Sequence, residues 1–136
     1  MYLLDPKTVI CILKGQPAVT DNLKSYLSDP IKIGVATHME LYYGAYKSQW
    51  VAANAARVKT LAQSIEMVPI NAVVAETFGM IKASLESGGN RLDDFDLAIA
   101  ATALAYNLIL VTNNTEHFSR IDGLRLENWT TQRASD

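Results

Sequence analysis

Gly88-Gly89-Asn90-Arg91-Leu92-Asp93-Asp94-Phe95-Asp96-Leu97-Ala98-Ile99-Ala100-Ala101 is the stretch on which the fold turns. Two glycines end whatever precedes it, three aspartates fall within four residues, and an alanine-rich apolar run continues to Leu104. That run gives way to the apolar strand Leu108-Ile109-Leu110-Val111. Acids gathered at a helix start cost little, because free N–H groups and the helix dipole favour negative charge there. Three acids exceed what one cap requires. The stretch therefore reads as a helix leading into a strand, and as half of an acidic site.

Working outward gives the same alternation. On the N-terminal side, Asn71 caps a helix over 72–86 with apolar positions Val73, Val74, Phe78, Ile81 and Leu85. Before it, Met67-Val68-Pro69-Ile70 reads as a short strand whose proline suggests an edge or a strand end. The alanine-rich residues 49–65 read as a helix, with Trp50, Leu61 and Ile65 on an apolar face. Residues 31–36 read as a strand. Thr37 and Glu40 stand at capping-box spacing, so a helix is expected from Thr37 to about Tyr46. Tyr2-Leu3-Leu4 reads as a buried strand ending at Asp5-Pro6, with Asp5 as an N-cap. A helix follows to about Lys14, closed by Gly15, and a second from Pro17 to Leu27. On the C-terminal side, Thr112-Asn113-Asn114-Thr115 reads as a loop and residues 124–127 as a last short strand. Strands alternating with helices predict an α/β fold with a mostly parallel sheet of four or five strands, flanked by helices. Residues 1–131 form one expected domain, and 132–136 an expected disordered tail.

Composition narrows the function. At 136 residues and 49% hydrophobic, the chain suits one packed domain and excludes disorder. No apolar run is long enough to span a bilayer and the N-terminus lacks a basic leader, so a cytoplasmic location is expected, with no membrane partner. The lone Cys11 is read as a buried thiol. A formal charge of −2 and a pI near 5.6 give no electrostatic case for nucleic acid. A polyanionic partner would need something other than side-chain charge, such as a bound metal.

The topology puts Asp5, Glu40 and Asn114 after strands, where open α/β sheets bind ligands. Asp96 joins them if its helix also begins at that edge. Each has a plainer reading. Asp5 could be only an N-cap, Glu40 half of a capping box, Asp93 and Asp96 a cap pair, and Asn114 a turn residue. Asp94 reads as a solvated acid, His38 and His117 as surface or packing residues, and Trp50 and Trp129 as packing residues. Lys47, Lys82 and Arg91 read as scattered surface charge, with an RNA groove as the alternative.

Leu3-Leu4-Asp5, Met39-Glu40-Leu41-Tyr42-Tyr43-Gly44-Ala45, Asp93-x-x-Asp96-Leu97-x-Ile99-Ala100-Ala101, and Leu110-Val111-Thr112-Asn113-Asn114 with His117-Phe118 and Leu124-x-Leu126-Glu127-Asn128-Trp129 come in order over essentially the whole chain. Together they resemble the PIN-domain toxins of VapC type. The resemblance implies a three-layer α/β/α domain and a Mg²⁺- or Mn²⁺-dependent endoribonuclease. It also implies a homodimer, inhibited by a small VapB-like antitoxin, with RNA as substrate and tRNA as one candidate. By position, Asp5, Glu40 and Asp96 match the catalytic and metal-holding acids. Asp93, Thr112 and Asn114 match supporting positions. The family usually reads Asp-Thr-Asn after the first strand; this chain reads Asp5-Pro6-Lys7.

Mg²⁺ prefers oxygen ligands, so such a site is built from carboxylates, and converging carboxylates need a cation. The ion also draws in phosphate, which accommodates the acidic pI. Two readings of Lys7 stand. It pairs with Asp5 or Asp96 and blocks the site, or it reaches a substrate phosphate. The first would make the chain a catalytically impaired domain that acts by binding antitoxin or RNA. An aspartyl-phosphate phosphatase would need an acid where Lys7 stands, and no Gly-rich nucleotide motif is present. Tyr42, Tyr43 and Tyr46 with Trp50 suggest a dimer or antitoxin surface, with core packing as the plainer alternative.

Overall fold

A computed structural model describes residues 1–25 and 30–130. Among them, five strands form one sheet: β1 (Tyr2–Leu4), β2 (Ile31–Gly34), β3 (Glu66–Val68), β4 (Ile109–Val111) and β5 (Leu126–Glu127). Their order is β3-β2-β1-β4-β5 and every pairing is parallel. The helices are α1 (Pro6–Leu13), α2 (Pro17–Ser25), α3 (Val35–Tyr46), α4 (Val51–Ser64), α5 (Ala72–Ser87), α6 (Asp94–Ala105) and α7 (Thr115–Phe118).

The period-2 alternation of the central strands divides the core between two faces. Leu3 and Leu110 point into one apolar cluster with Val74, Ile81 and Leu97 from α5 and α6. Tyr2, Leu4, Ile33 and Val111 point into another with Val9, Leu41 and Leu61 from α1, α3 and α4. Helices therefore cover both faces, giving the three-layer α/β/α arrangement. After β1 the chain builds outward through β2 to β3, then returns to β1's other side for β4 and β5. The order reverses between β1 and β4, which opens a crevice at their carboxyl ends.

Local chemistry explains most boundaries. Asp5 caps α1, its Oδ1 accepting the Thr8 N–H at 2.8 Å, and Pro6 fills the first helical position. Gly15 takes a φ of +71° just after that helix, a conformation that favours glycine. Asn71 caps α5 by accepting the Val74 N–H at 2.9 Å. Pro69 follows the edge strand β3 directly.

The structure corrects several expectations. β2 stops at Gly34 and α3 begins at Val35, so Val35 and Ala36 are helical and Thr37 is not a cap. An apolar run cannot by itself distinguish a strand from a buried helical turn, and Ala36 is apolar because it faces the core. Thr37 is buried and its hydroxyl donates to the Leu4 carbonyl at 3.4 Å, tying α3 to β1. Glu40 consequently sits in the second turn of α3, not the first. Trp50 stands at the N-cap position of α4 and is 68% exposed, so it packs on no apolar face, whereas Leu61 is buried. Val73 is exposed on α5. Cys11 is half-buried, because α1 is a surface helix with a narrow buried stripe of Thr8 and Val9. The short α7 starts where only a loop was expected, and β5 keeps two of the four expected residues. Trp129 is buried against Tyr2, with ring centroids 5.4 Å apart. The expected end of α2 at Leu27 and the expected tail at 132–136 lie outside the described residues.

Candidate functional site

Strand ends and helix starts bring the acids together. Asp5 leaves β1 with its N–H donated to the Val111 carbonyl at 3.1 Å, which pins it to β4. It is 6% exposed, and one carboxylate oxygen is used by the Thr8 cap. Glu40 projects from α3 and is half-buried. Asp93 is the N-cap residue of α6 but makes no capping hydrogen bond, and Asp96 lies in the first turn of that helix. Carboxylate oxygens of Glu40, Asp93 and Asp96 all lie within 4.8 Å of one another. A cleft of about 710 Å³ opens there, lined by Asp5, Pro6, Lys7, Ile10, Glu40, Asp96, Asn113, Asn114 and Phe118.

The electrostatics are those of an acidic site that calls for a cation. Burial pushes the Glu40 carboxyl above its ordinary range, and the charges of Asp96, Asp93 and Asp5 push it further. Burial likewise raises Asp96; Asp93 and Asp5 add to this, while His117 draws it back down. Two ionised carboxylates at such a distance repel by roughly 3 kcal/mol at an effective dielectric near 20, less what solvent screens. A cluster of oxygen donors with excess negative charge fits a hard divalent ion such as Mg²⁺ or Mn²⁺.

The structure refines the expected membership. Glu40, Asp93 and Asp96 form the tight group, so Asp93 stands closer to the centre than a supporting position suggests. Asp5 shares the cleft but stands outside that group of three. Thr112 is fully buried and does not line the cleft. Its hydroxyl accepts the Asn114 N–H at 3.0 Å and its own N–H donates to the Glu127 carbonyl at 2.9 Å. It therefore shapes the loop that presents Asn114. Lys7 is exposed on the cleft wall and makes no ion pair among the described residues. Asp94 is exposed and pairs with Lys82 at 3.0 Å, away from the cluster. Lys47 sits over the Tyr43 ring, 4.9 Å from its centroid.

Of the two histidines, one keeps its expected packing role and the other does not. His38 is buried, with Nδ1 3.1 Å from the Gly34 carbonyl oxygen, and it packs as expected. His117 was not expected at the site, yet its Nε2 lies 3.4 Å from Asp96 Oδ2. The available signal was its position three residues after Asn114, one turn on if that segment is helical. Reading 112–115 only as a loop concealed it.

The PIN domain family profile matches residues 2–124. The chain belongs to the PIN domain family. Ribonucleases of VapC type are among its relatives. It is 36% identical over 129 residues to the tRNA(fMet)-specific endonuclease VapC of Shigella flexneri, covering 95% of this chain and 98% of that one. It is 34% identical to ribonuclease VapC2 of Haemophilus influenzae, covering 94% and 97% respectively. Among solved structures, VapBC2 from Rickettsia felis bound to a promoter DNA fragment superposes on this PIN domain with a TM-score of 0.87. The two are 32% identical, with 94% of this chain and 98% of that chain covered.

Proposed function

We propose that this PIN domain is a metal-dependent endoribonuclease toxin of VapC type, inhibited by a VapB-like antitoxin. The observation that carries the proposal is the convergence of Glu40, Asp93 and Asp96, with Asp5 in the same cleft, in a chain whose relatives are named ribonucleases. Glu40, Asp93 and Asp96 hold Mg²⁺ or Mn²⁺, with Asp5 as a further acid. Such an ion offsets the negative charge, attracts phosphate and stabilises charge on phosphoryl oxygens. Asp5, Glu40 and Asp96 are the proposed catalytic set. Asn114, held by Thr112, orients the substrate backbone at the cleft wall.

Lys7 supplies a point charge for a substrate phosphate. Its exposure on the cleft wall, and its lack of an ion pair among the described residues, support this over a blocking contact with Asp5 or Asp96. The impaired-domain reading rests on that blocking contact and is the weaker one. The name of the Shigella relative supports tRNA as the substrate class. The VapBC complexes among similar structures support an antitoxin partner. An apolar groove beside Glu40, between α1, α3 and α4 and carrying Lys14 and Arg57, suits a partner segment with acidic and apolar side chains. Exposed Met39, Tyr43 and Phe95 next to the cluster support a homodimer through that face. An RNA substrate supports a cytoplasmic location.

Induced expression in bacteria tests the toxin role. Wild-type protein arrests growth and Asp96→Ala does not. A culture that keeps growing while soluble wild-type protein accumulates, free of antitoxin, counts against the proposal.

A further inference from the structure

His117 is the one basic side chain, among the described residues, in ion-pair range of the carboxylate cluster. Its Nε2 stands 3.4 Å from Asp96 Oδ2, and both side chains are largely withdrawn from solvent. A carboxylate only accepts hydrogen bonds, so a hydrogen bond across this contact takes its proton from Nε2. The Asp96 side chain has no other hydrogen-bond donor among the described residues. The other charges that act on it, Asp93 and Asp5, are of like sign and repel it.

The ring itself is well held. Phe118, next in the chain, is 2% exposed, and its ring meets the imidazole edge-on at 5.9 Å and 81°. Ile121 anchors the following turn in the same core cluster. The backbone N–H of Phe118 donates to the Asn114 carbonyl at 3.2 Å. A single short turn thus carries both a cleft-lining amide and the imidazole, and buried apolar residues set its position.

We propose that His117 is a positioning residue of the metal centre: by donating to Asp96 Oδ2 it fixes the rotation of that carboxylate, so that the cluster presents a defined set of oxygens to the ion. Hard divalent ions prefer oxygen donors, so the imidazole acts through Asp96 and not as a ligand. Partners that orient metal ligands in this way typically contribute 10–100-fold to metal affinity. The inference rests on the metal-centre reading above, and its test separates the two.

Mn²⁺ binding to the purified full chain, without RNA, is measured by calorimetry or by the loss of the free-ion EPR signal. His117→Ala is expected to weaken binding by about tenfold or more. His117→Gln, whose amide N–H₂ reaches a similar position, is expected to recover most of the loss. Binding by His117→Ala that equals or exceeds wild type overturns the inference, as does a glutamine variant as weak as the alanine one. If wild-type protein takes up no Mn²⁺, the metal-centre reading fails and the inference with it. Metal-free melting curves report whether each variant folds. Should His117→Ala not fold, His117→Phe keeps a ring against Phe118 without the N–H and replaces it in the comparison.

Discussion

Glu40 and Asp96, carried by different helices and joined by no continuous motif, bring carboxylate oxygens within 4.8 Å of each other at the carboxyl edge of a parallel sheet. Burial, and then that proximity, raises the Glu40 pKa and sets a cost on the metal-free fold.

The cost is visible as a pH dependence. Glu40 and Asp96 both bind protons more tightly in the folded metal-free protein than in the unfolded chain. Below about pH 4, where both states are protonated, the stability these groups contribute is fully present. It is lost as pH rises through their raised folded values. Glu40→Gln should therefore melt higher than wild type at neutral pH without metal, and the difference should shrink towards acid pH. Thermal melts from pH 4 to 8 check this.

Metal should reverse the penalty. An ion that binds only the folded state stabilises it by about 2.7 kcal/mol at a hundredfold excess over Kd. Added Mn²⁺ or Mg²⁺ should raise the melting temperature of wild type, and EDTA should return it to its starting value. Asp96→Asn should remove most of the shift.

Asp5 serves two ends, and one pair of variants separates them. Asparagine caps helices as well as aspartate does, so Asp5→Asn should keep wild-type stability while losing RNA cleavage. Asp5→Ala should lose cleavage and, in addition, about 1 kcal/mol of stability in urea unfolding. Equal stability of the two variants would mean that the Thr8 contact contributes nothing.

Lys7 is tested by salt. If it meets a substrate phosphate, Lys7→Ala should weaken RNA binding across sequences and lower the salt slope by about one contact. Mn²⁺ affinity should stay unchanged. Tighter Mn²⁺ binding by Lys7→Ala would instead indicate that the lysine occupies the cation's place.

Much of this architecture is legible in the sequence. The strand read at 108–111, one residue longer than β4, the Asn71 cap and the Asp5-Pro6 junction carry local signals, and each finds its element. The boundary at Gly34 was not legible, because Val35 and Ala36 are apolar whether they extend a strand or begin a buried helix. The acids were found as types and positions. That Asp93 stands in the tight group with Glu40 and Asp96, and Asp5 outside it, was not legible, since no local rule distinguishes an N-cap Asp93 that caps from one whose carboxylate faces Glu40 and Asp96. His117 escaped for a related reason: its contact with Asp96 depends on a one-turn helix held by Phe118 and Ile121.

The most direct test of the central claim is cleavage of purified RNA, including a tRNA pool, by the antitoxin-free protein with Mg²⁺ or Mn²⁺, with EDTA, and by Asp96→Ala under the same conditions. Wild-type cleavage is expected to require the ion and to fall by about two orders of magnitude or more, to roughly background, in the variant. Cleavage that persists in EDTA, or that is equal in wild type and Asp96→Ala, would contradict it.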